Sequence, residues 1–192
     1  MNQPKRNTMG KLIIQISAII MMFSIANVTG YSSLLPTTSE VSEAALLSTP
    51  SSMELFLKAI AYRESKGNHK VVNPFGMMGK YQFSKSTLRL LRKDVSPNQF
   101  LRNPAIQDTV MIMYLKVNNE ILDKFIARYD GKVFKGVSIT RSGVLAAAHL
   151  GGAGSVIAWF KNDSHTGLVD ANGTSIREYM VTFANYPIYT YL

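Results

Sequence analysis

From Ser51 onward the apolar positions recur at intervals of three and four, the period of an amphipathic helix, and a capping residue marks where each run begins. Ser51-Ser52-Met53-Glu54 has the form of a capping box, and Leu55, Phe56, Ala59 and Ile60 follow at helical spacing. Gly67 is placed to end that helix in a left-handed turn, which puts Glu64 in its last turn. Ser84 or Ser86 starts a second helix through Leu88-Arg89-Leu90-Leu91, and Ser96-Pro97 starts a short turn. Asn103-Pro104, with proline at the first helical position, opens the longest run. There Ile106, Val110, Met113, Val117, Ile121 and Phe125 predict one core-facing stripe, broken at Asp130-Gly131. Thr140 caps a helix through Val144-Leu145-Ala146-Ala147-Ala148, which Gly151-Gly152 interrupts before Val156-Ile157-Ala158-Trp159-Phe160 continues it. Ser175-Ile176-Arg177-Glu178 reads as a second capping box, opening a helix through Tyr179 to Ala184. Extended segments are few, around Val71-Val72 and from Val133 to Ile139. The pattern predicts a mainly α domain over 51–192 with no internal repeat.

Residues 1–50 have a different texture. Lys5, Arg6 and Lys11 precede an uncharged run from Leu12 to Val28, the arrangement of an export signal. Small residues at Ser24 and Ala26, or at Val28 and Gly30, offer processing sites. An uncleaved membrane anchor is the alternative, because the run lies at the short end of what spans a bilayer; either way the domain is delivered outside the cytoplasmic membrane. Residues 31–50, rich in Ser, Thr and Pro, predict a flexible spacer.

The chain has 192 residues, 46% of them hydrophobic, enough for one domain with its own core. It contains no cysteine, which excludes a disulfide framework, a thiolate metal site and a cysteine nucleophile. His69, His149 and His165 share no metal-ligand spacing, so neither a metal nor another cofactor is expected. The formal net charge is +9; without Lys5, Arg6 and Lys11, 18 basic residues face 12 acidic ones, leaving +6. An exported basic domain suits an anionic polymer, although part of that charge serves solubility. Nucleic acid is disfavoured as a partner, since the Lys and Arg residues are scattered and a leader for export is present.

One acid stands out. Glu64 ends an apolar helical run, and the glycine-bracketed stretch Asn73-Pro74-Phe75-Gly76-Met77-Met78-Gly79-Lys80-Tyr81-Gln82-Phe83 follows it, closing on Ser86-Thr87. Carbonyls left unpaired in a helix's last turn disfavour an anion, and partial burial does the same. Such a carboxyl can hand a proton to a glycosidic oxygen, a role worth roughly 10²–10⁴-fold in rate. Arg63 and Lys66, at i−1 and i+2, do not face Glu64 on a helix.

Residues 59–87, with support from 146–156 and 174–180, resemble the lytic transglycosylase domain of the soluble murein transglycosylase type. That domain has a lysozyme-like fold related to goose-type lysozyme. Glu64-Ser65-Lys66-Gly67-Asn68 matches the family's first signature, and Asn73 to Gln82 with Ser86-Thr87 matches its second, Asn73 standing where Ser is usual. In the third, Ala147-Ala148-His149-Leu150-Gly151-Gly152-Ala153-Gly154-Ser155-Val156 keeps the glycines and the valine. It departs at His149 and Leu150, where Tyr and Asn are usual, and so lacks an amide that would help hold substrate. Tyr179 corresponds to a late tyrosine near the acid. The resemblance covers roughly residues 51–186.

The resemblance implies a single-acid cleavage of the β-1,4 bond between N-acetylmuramic acid and N-acetylglucosamine in peptidoglycan. Glu64 protonates the leaving oxygen, the substrate's N-acetyl group assists at the anomeric carbon, and a 1,6-anhydro product forms without water. It further implies that Ser65, Gly79, Tyr81, Gln82, His149 and Tyr179 contact or frame the glycan. Gly76 and Gly79 suit positive φ or close approach of backbone to a sugar. Tyr81 offers a flat face, Gln82 a donor and an acceptor, and Tyr179 a hydrogen bond that fixes Glu64. His149 either touches substrate at the cleft floor or is packed and satisfied. A hydrolytic muramidase on the same fold and a non-catalytic glycan-binding module remain as alternatives.

Overall fold

The computed structural model describes residues 51–161 and 174–188. The expected leader, the spacer and His165 lie outside these. The described residues are mainly helical: α1 (Ser52–Ser65), α2 (Lys85–Leu91), α3 (Pro97–Arg102), α4 (Pro104–Tyr129), α5 (Arg141–Lys161) and α6 (Ile176–Thr182), with a short hairpin of β1 (Val133–Phe134) and β2 (Val137–Ser138) between α4 and α5.

Each helix starts where a side chain can accept a hydrogen bond from a first-turn N–H, which would otherwise go unpaired. Ser51 caps α1 in a complete capping box with Glu54. Ser84, not Ser86, caps α2. The expected turn at Ser96-Pro97 is a helix of its own, α3, with Gln99 closing its box. Asn103 caps α4 through Ala105 and Ile106, with Pro104 in the first turn. Ser175 caps α6 by accepting from the Glu178 N–H, but the box is only half formed because the Glu178 carboxylate takes Arg63 instead, at 2.7 Å. The helix that follows ends at Thr182 rather than Ala184.

Helix α1 buries Met53, Phe56, Leu57, Ile60 and Ala61; Leu55, expected inside, is exposed. In α4 the buried face is Gln107, Val110, Met111, Tyr114, Leu115, Asn118, Leu122 and Ile126. The stripe expected from periodicity is therefore rotated by about one residue: Val110 is its one fully buried member, and Ile106, Ile121 and Phe125 lie half-buried along the flank. The rotation brings two amides inward. Asn118 donates to the Tyr114 carbonyl at 2.9 Å, and Gln107 is taken up below.

The segment from Val133 to Ile139 is not one strand. Lys135 (φ 49°) and Gly136 (φ 72°) form a two-residue turn with positive φ at both positions, the turn that suits the right-handed twist of a hairpin. It pairs Val133 with Ser138 and Phe134 with Val137. Val72 makes only an isolated bridge to Met78.

Helix α5 runs through the core and is buried over Val144 to Ala148. By length and composition it is apolar enough to cross a membrane, but two thirds of its most apolar stretch, 67%, is buried inside the domain, as a core helix requires. Its N-terminal half meets α6 closely: a Cβ on Gly143 would lie 2.4 Å from the Met180 carbonyl oxygen. Gly152, at φ 78° and ψ 157°, kinks it as the Gly151-Gly152 pair predicts. Each fully buried Phe, Leu or Ile contributes about 1.5–3 kcal/mol. The aromatic ones gather around Phe56 with Phe183 and Tyr186, around Phe83 with Phe100 and Tyr114, and around Phe160 with Phe125, Tyr129 and Phe134. The second of these clusters lies under the candidate site.

Candidate active site

Glu64 sits in the last turn of α1. The chain leaves that helix in a left-handed turn that begins one residue early, at Lys66 (φ 58°), and continues at Gly67 (φ 80°). Lys66 and Gly67 donate back to the carbonyls of Tyr62 and Ala61. Arg63 points to Glu178 and stacks over the Tyr179 ring at 5.7 Å, while Lys66 lies over the Tyr62 ring at 4.4 Å. Both cations flanking Glu64 are therefore directed away from it.

The Glu64 carboxylate is 17% exposed. Tyr179, buried on α6, donates its hydroxyl to Glu64 Oε1 at 2.7 Å. Burial, and then the charge and hydrogen bond of Glu64, push the Tyr179 phenol well above its ordinary value, so the hydroxyl keeps the proton it donates. On the other side His149 Nε2 stands 3.8 Å from the same oxygen. One oxygen of the acid is thus anchored by the protein, and Oε2 accepts no hydrogen bond from the described residues.

His149 comes from the second turn of the α5 core stretch and is 5% exposed. Its Nε2 is 2.9 Å from the Tyr81 carbonyl, an atom that can only accept, so Nε2 carries the proton. Its ring packs edge-on against Phe83 and Tyr114, at 5.4 and 5.9 Å between centroids. Desolvation pushes its pKa below the usual histidine value; the Glu64 charge and the Tyr81 carbonyl oppose this more weakly. The imidazole is neutral at neutral pH, and its Nδ1 is buried with no hydrogen-bond partner among the described residues. Of the two roles open to it from sequence, the packed one describes its position. Leu150, beside it, packs half-buried against the core.

The glycine-bracketed loop is folded around Met78, which bridges to both Val72 and Phe83. Gly76 and Gly79 adopt positive φ, 78° and 73°, and so does Gln82, at 54°. Gln82 is half-buried and donates its side-chain amide to the Gly79 carbonyl at 2.9 Å. Ser65, next to Glu64, donates its hydroxyl to the Lys80 carbonyl at 2.9 Å, tying the end of α1 to the loop. Tyr81 departs from expectation. Its ring is 1% exposed, so the flat face expected for a sugar is turned into the core, and its hydroxyl donates to Asp108. Burial first, and Asp108 second, push that phenol far above its ordinary value.

Gly79 has the expected positive φ, and the close approach at this position is to protein. A Cβ at this position would lie 2.4 Å from Oε1 of Gln107. Gln107, fully buried on α4, accepts from the Lys80 N–H and donates to the carbonyls of His69 and Phe100, each at 2.8 Å. Hydrophobic periodicity passes over a polar residue at a core position, and neither Gln107 nor Asp108 carries a motif of its own. The two other acids of this region are committed elsewhere: Asp108 to Tyr81 and, at 2.7 Å, to Lys80, and Glu178 to Arg63. Among the described residues no cluster of three His, Cys, Asp or Glu side chains could hold a metal.

The helical fold thus puts one acid at a helix end, with the glycine-bracketed loop tied beside it through Ser65. The family model described as "Transglycosylase SLT domain" matches residues 43–168. The chain belongs to that family, one of peptidoglycan lytic transglycosylases. The match takes in Glu64, the loop and His149, and stops short of Tyr179 on α6. No characterised protein and no solved structure matches the chain.

Proposed function

We propose that the protein is an exported lytic transglycosylase that cuts the β-1,4 bond between N-acetylmuramic acid and N-acetylglucosamine with Glu64 as its one catalytic acid. The observation that carries this reading is the anchored carboxyl: Tyr179 holds Oε1 at 2.7 Å, which leaves Oε2 for substrate. A general acid must be held within hydrogen-bond reach of the atom it protonates, and a side chain with one oxygen fixed is held in that way.

Oε2 delivers its proton to the glycosidic oxygen as the bond from that oxygen to the muramoyl anomeric carbon breaks. The N-acetyl carbonyl oxygen of the same sugar bonds to the anomeric carbon and takes up the positive charge. Glu64, now a carboxylate, removes the proton of the muramoyl 6-hydroxyl, whose oxygen displaces the N-acetyl oxygen and closes a 1,6-anhydro ring. The acid ends protonated, ready for another turn. One carboxyl suffices because the substrate supplies the nucleophile that other glycosidases take from a second acid.

Around Glu64, Gln82 offers its amide to the glycan. Ser65, Gly79, Tyr81, His149 and Tyr179 shape the site, Ser65 and Tyr81 chiefly through the loop and Tyr179 through the acid. Residues 1–30 act as the leader and 31–50 as a spacer, so that the domain works in the periplasm or cell envelope. The motivation is the basic and then apolar pattern of the first 28 residues.

The substitution Glu64→Gln tests the assignment. Gln is nearly isosteric and can still accept from Tyr179, so the variant is expected to fold as the parent does and to clear no peptidoglycan in a zymogram. A well-folded variant with substantial clearing removes Glu64 from the role.

A further inference from the structure

The loop that faces Glu64 is held from behind, by two neighbouring residues of α4 that hydrophobic periodicity and motif matching both pass over. Gln107 accepts from the Lys80 N–H, and Asp108 receives the Lys80 ammonium at 2.7 Å and the Tyr81 hydroxyl. Both side chains and one N–H of the Lys80-Tyr81 pair are therefore fixed to a single helix. The two carbonyls of the pair face the opposite way. That of Lys80 accepts from Ser65, one residue from the acid, and that of Tyr81 accepts from His149, whose Nε2 is 3.8 Å from Glu64.

Both hydrogen bonds that tie the loop to Ser65 and His149 thus leave from a dipeptide clamped by Gln107 and Asp108, while Phe83 adds only a ring contact to His149. The fit is tight, since Gln107 makes its three hydrogen bonds while fully buried and occupies the space that a side chain at position 79 would need. A buried polar group with all its partners satisfied allows few alternative packings, and such support is what holds a reactive group in its working geometry.

We infer that Gln107 and Asp108 are positioning residues. They fix Lys80-Tyr81 as a strut between α4 and the Glu64 surroundings, so that the setting of Ser65, His149 and through them of the acid depends on α4. The inference rests on Glu64 being the acid. Neither residue touches substrate: Gln107 is enclosed, and Asp108 acts through Lys80 and Tyr81.

Asp108 is the residue to test, because at 40% side-chain exposure its replacement leaves the core filled. Asp108→Ala removes both contacts, whereas Asp108→Asn keeps an acceptor for the Tyr81 hydroxyl. Two readouts are taken on the full-length chain: steady-state kinetics on a soluble glycan fragment, and the imidazole N–H resonance of His149 by NMR. Asp108→Ala is expected to lower kcat by roughly 10- to 100-fold, as small displacements of reacting groups do, with KM within about twofold. The His149 resonance is expected to shift or broaden as its bond to Tyr81 loosens. Asp108→Asn is expected to recover most of both. An Asp108→Ala protein with parental kcat and an unmoved His149 resonance overturns the inference, as does a loss of kcat that Asp108→Asn does not relieve at all. The resonance needs no turnover. If Glu64 is not the acid, Glu64→Gln turns over as the parent does, while the NMR arm still reports whether the strut is real.

Discussion

Gly79→Ala sets two costs against each other at one position. The first is conformational: φ is 73° there, and an L-residue in the left-handed region costs about 1–2 kcal/mol. The second is contact. The new methyl would lie 2.4 Å from Gln107 Oε1, 2.7 Å from Cδ and 3.0 Å from Nε2, closer than packed atoms come, so the Gln107 amide must move. Moving it puts at risk three hydrogen bonds in a fully buried setting, where leaving even one group unpaired costs about 1–3 kcal/mol. The sum is about 2–5 kcal/mol. Gly76 supplies the control. It shares the positive φ, 78°, but has nothing within 4 Å of its would-be Cβ, so Gly76→Ala should cost only about 1–2 kcal/mol. Urea unfolding followed by helical circular dichroism measures both. The same pair is then repeated on a Gln107→Ala background, where the clash is gone and the two alanines should cost about the same. Equal costs on the parental background would mean that the Gln107 contact has no energetic weight.

Other consequences follow from the site. Tyr179→Phe removes the hydrogen bond that fixes Glu64, so cleavage should slow by roughly 10- to 100-fold, as small displacements of reacting groups do, while Glu64→Gln abolishes it; a parental rate in Tyr179→Phe would dissociate that tyrosine from the acid. Gln82→Ala should also slow cleavage by less than Glu64→Gln, measured on the same substrate. Because the Tyr81 phenol is raised in the folded state, its stabilisation is complete below the ordinary value of 10.0 and is lost as pH rises above it. Tyr81→Phe should therefore flatten the fall in unfolding free energy between about pH 9 and 11 by about 1.4 kcal/mol, and an unchanged slope would contradict the buried placement. His149 has the opposite sign. Its pKa is depressed from 6.5, so its contribution is present above that value and fades as pH falls below it; His149→Phe should make stability less sensitive to acid below about pH 6.5.

Local grammar carried much of the fold in sequence, and long-range packing did not. Ser51, Ser96, Asn103 and Ser175 act as caps because a cap is written within four residues, and Gly152 kinks α5 because only its own backbone is involved. The face of α4 differs from the apolar stripe for a different reason. Periodicity counts apolar residues, whereas the buried face includes Gln107 and Asn118, which enter the core only because partners from distant segments or the preceding turn await them. The half-formed box at Ser175 has the same origin, since Arg63 lies 115 positions away and outcompetes the local N–H for Glu178. At the site, Glu64 and the glycine-bracketed loop were readable as motifs. The direction in which Tyr81 points was not, because nothing in its neighbours encodes the partner, Asp108, that draws its ring inward.

In the proposed function one acid, without a water nucleophile, opens the glycan strand. Mass spectrometry of the muropeptides released when the purified protein acts on peptidoglycan tests it directly. Fragments ending in 1,6-anhydromuramic acid are expected, with none released by Glu64→Gln. Fragments one water heavier, ending in reducing N-acetylmuramic acid, or equal release by Glu64→Gln, would contradict it.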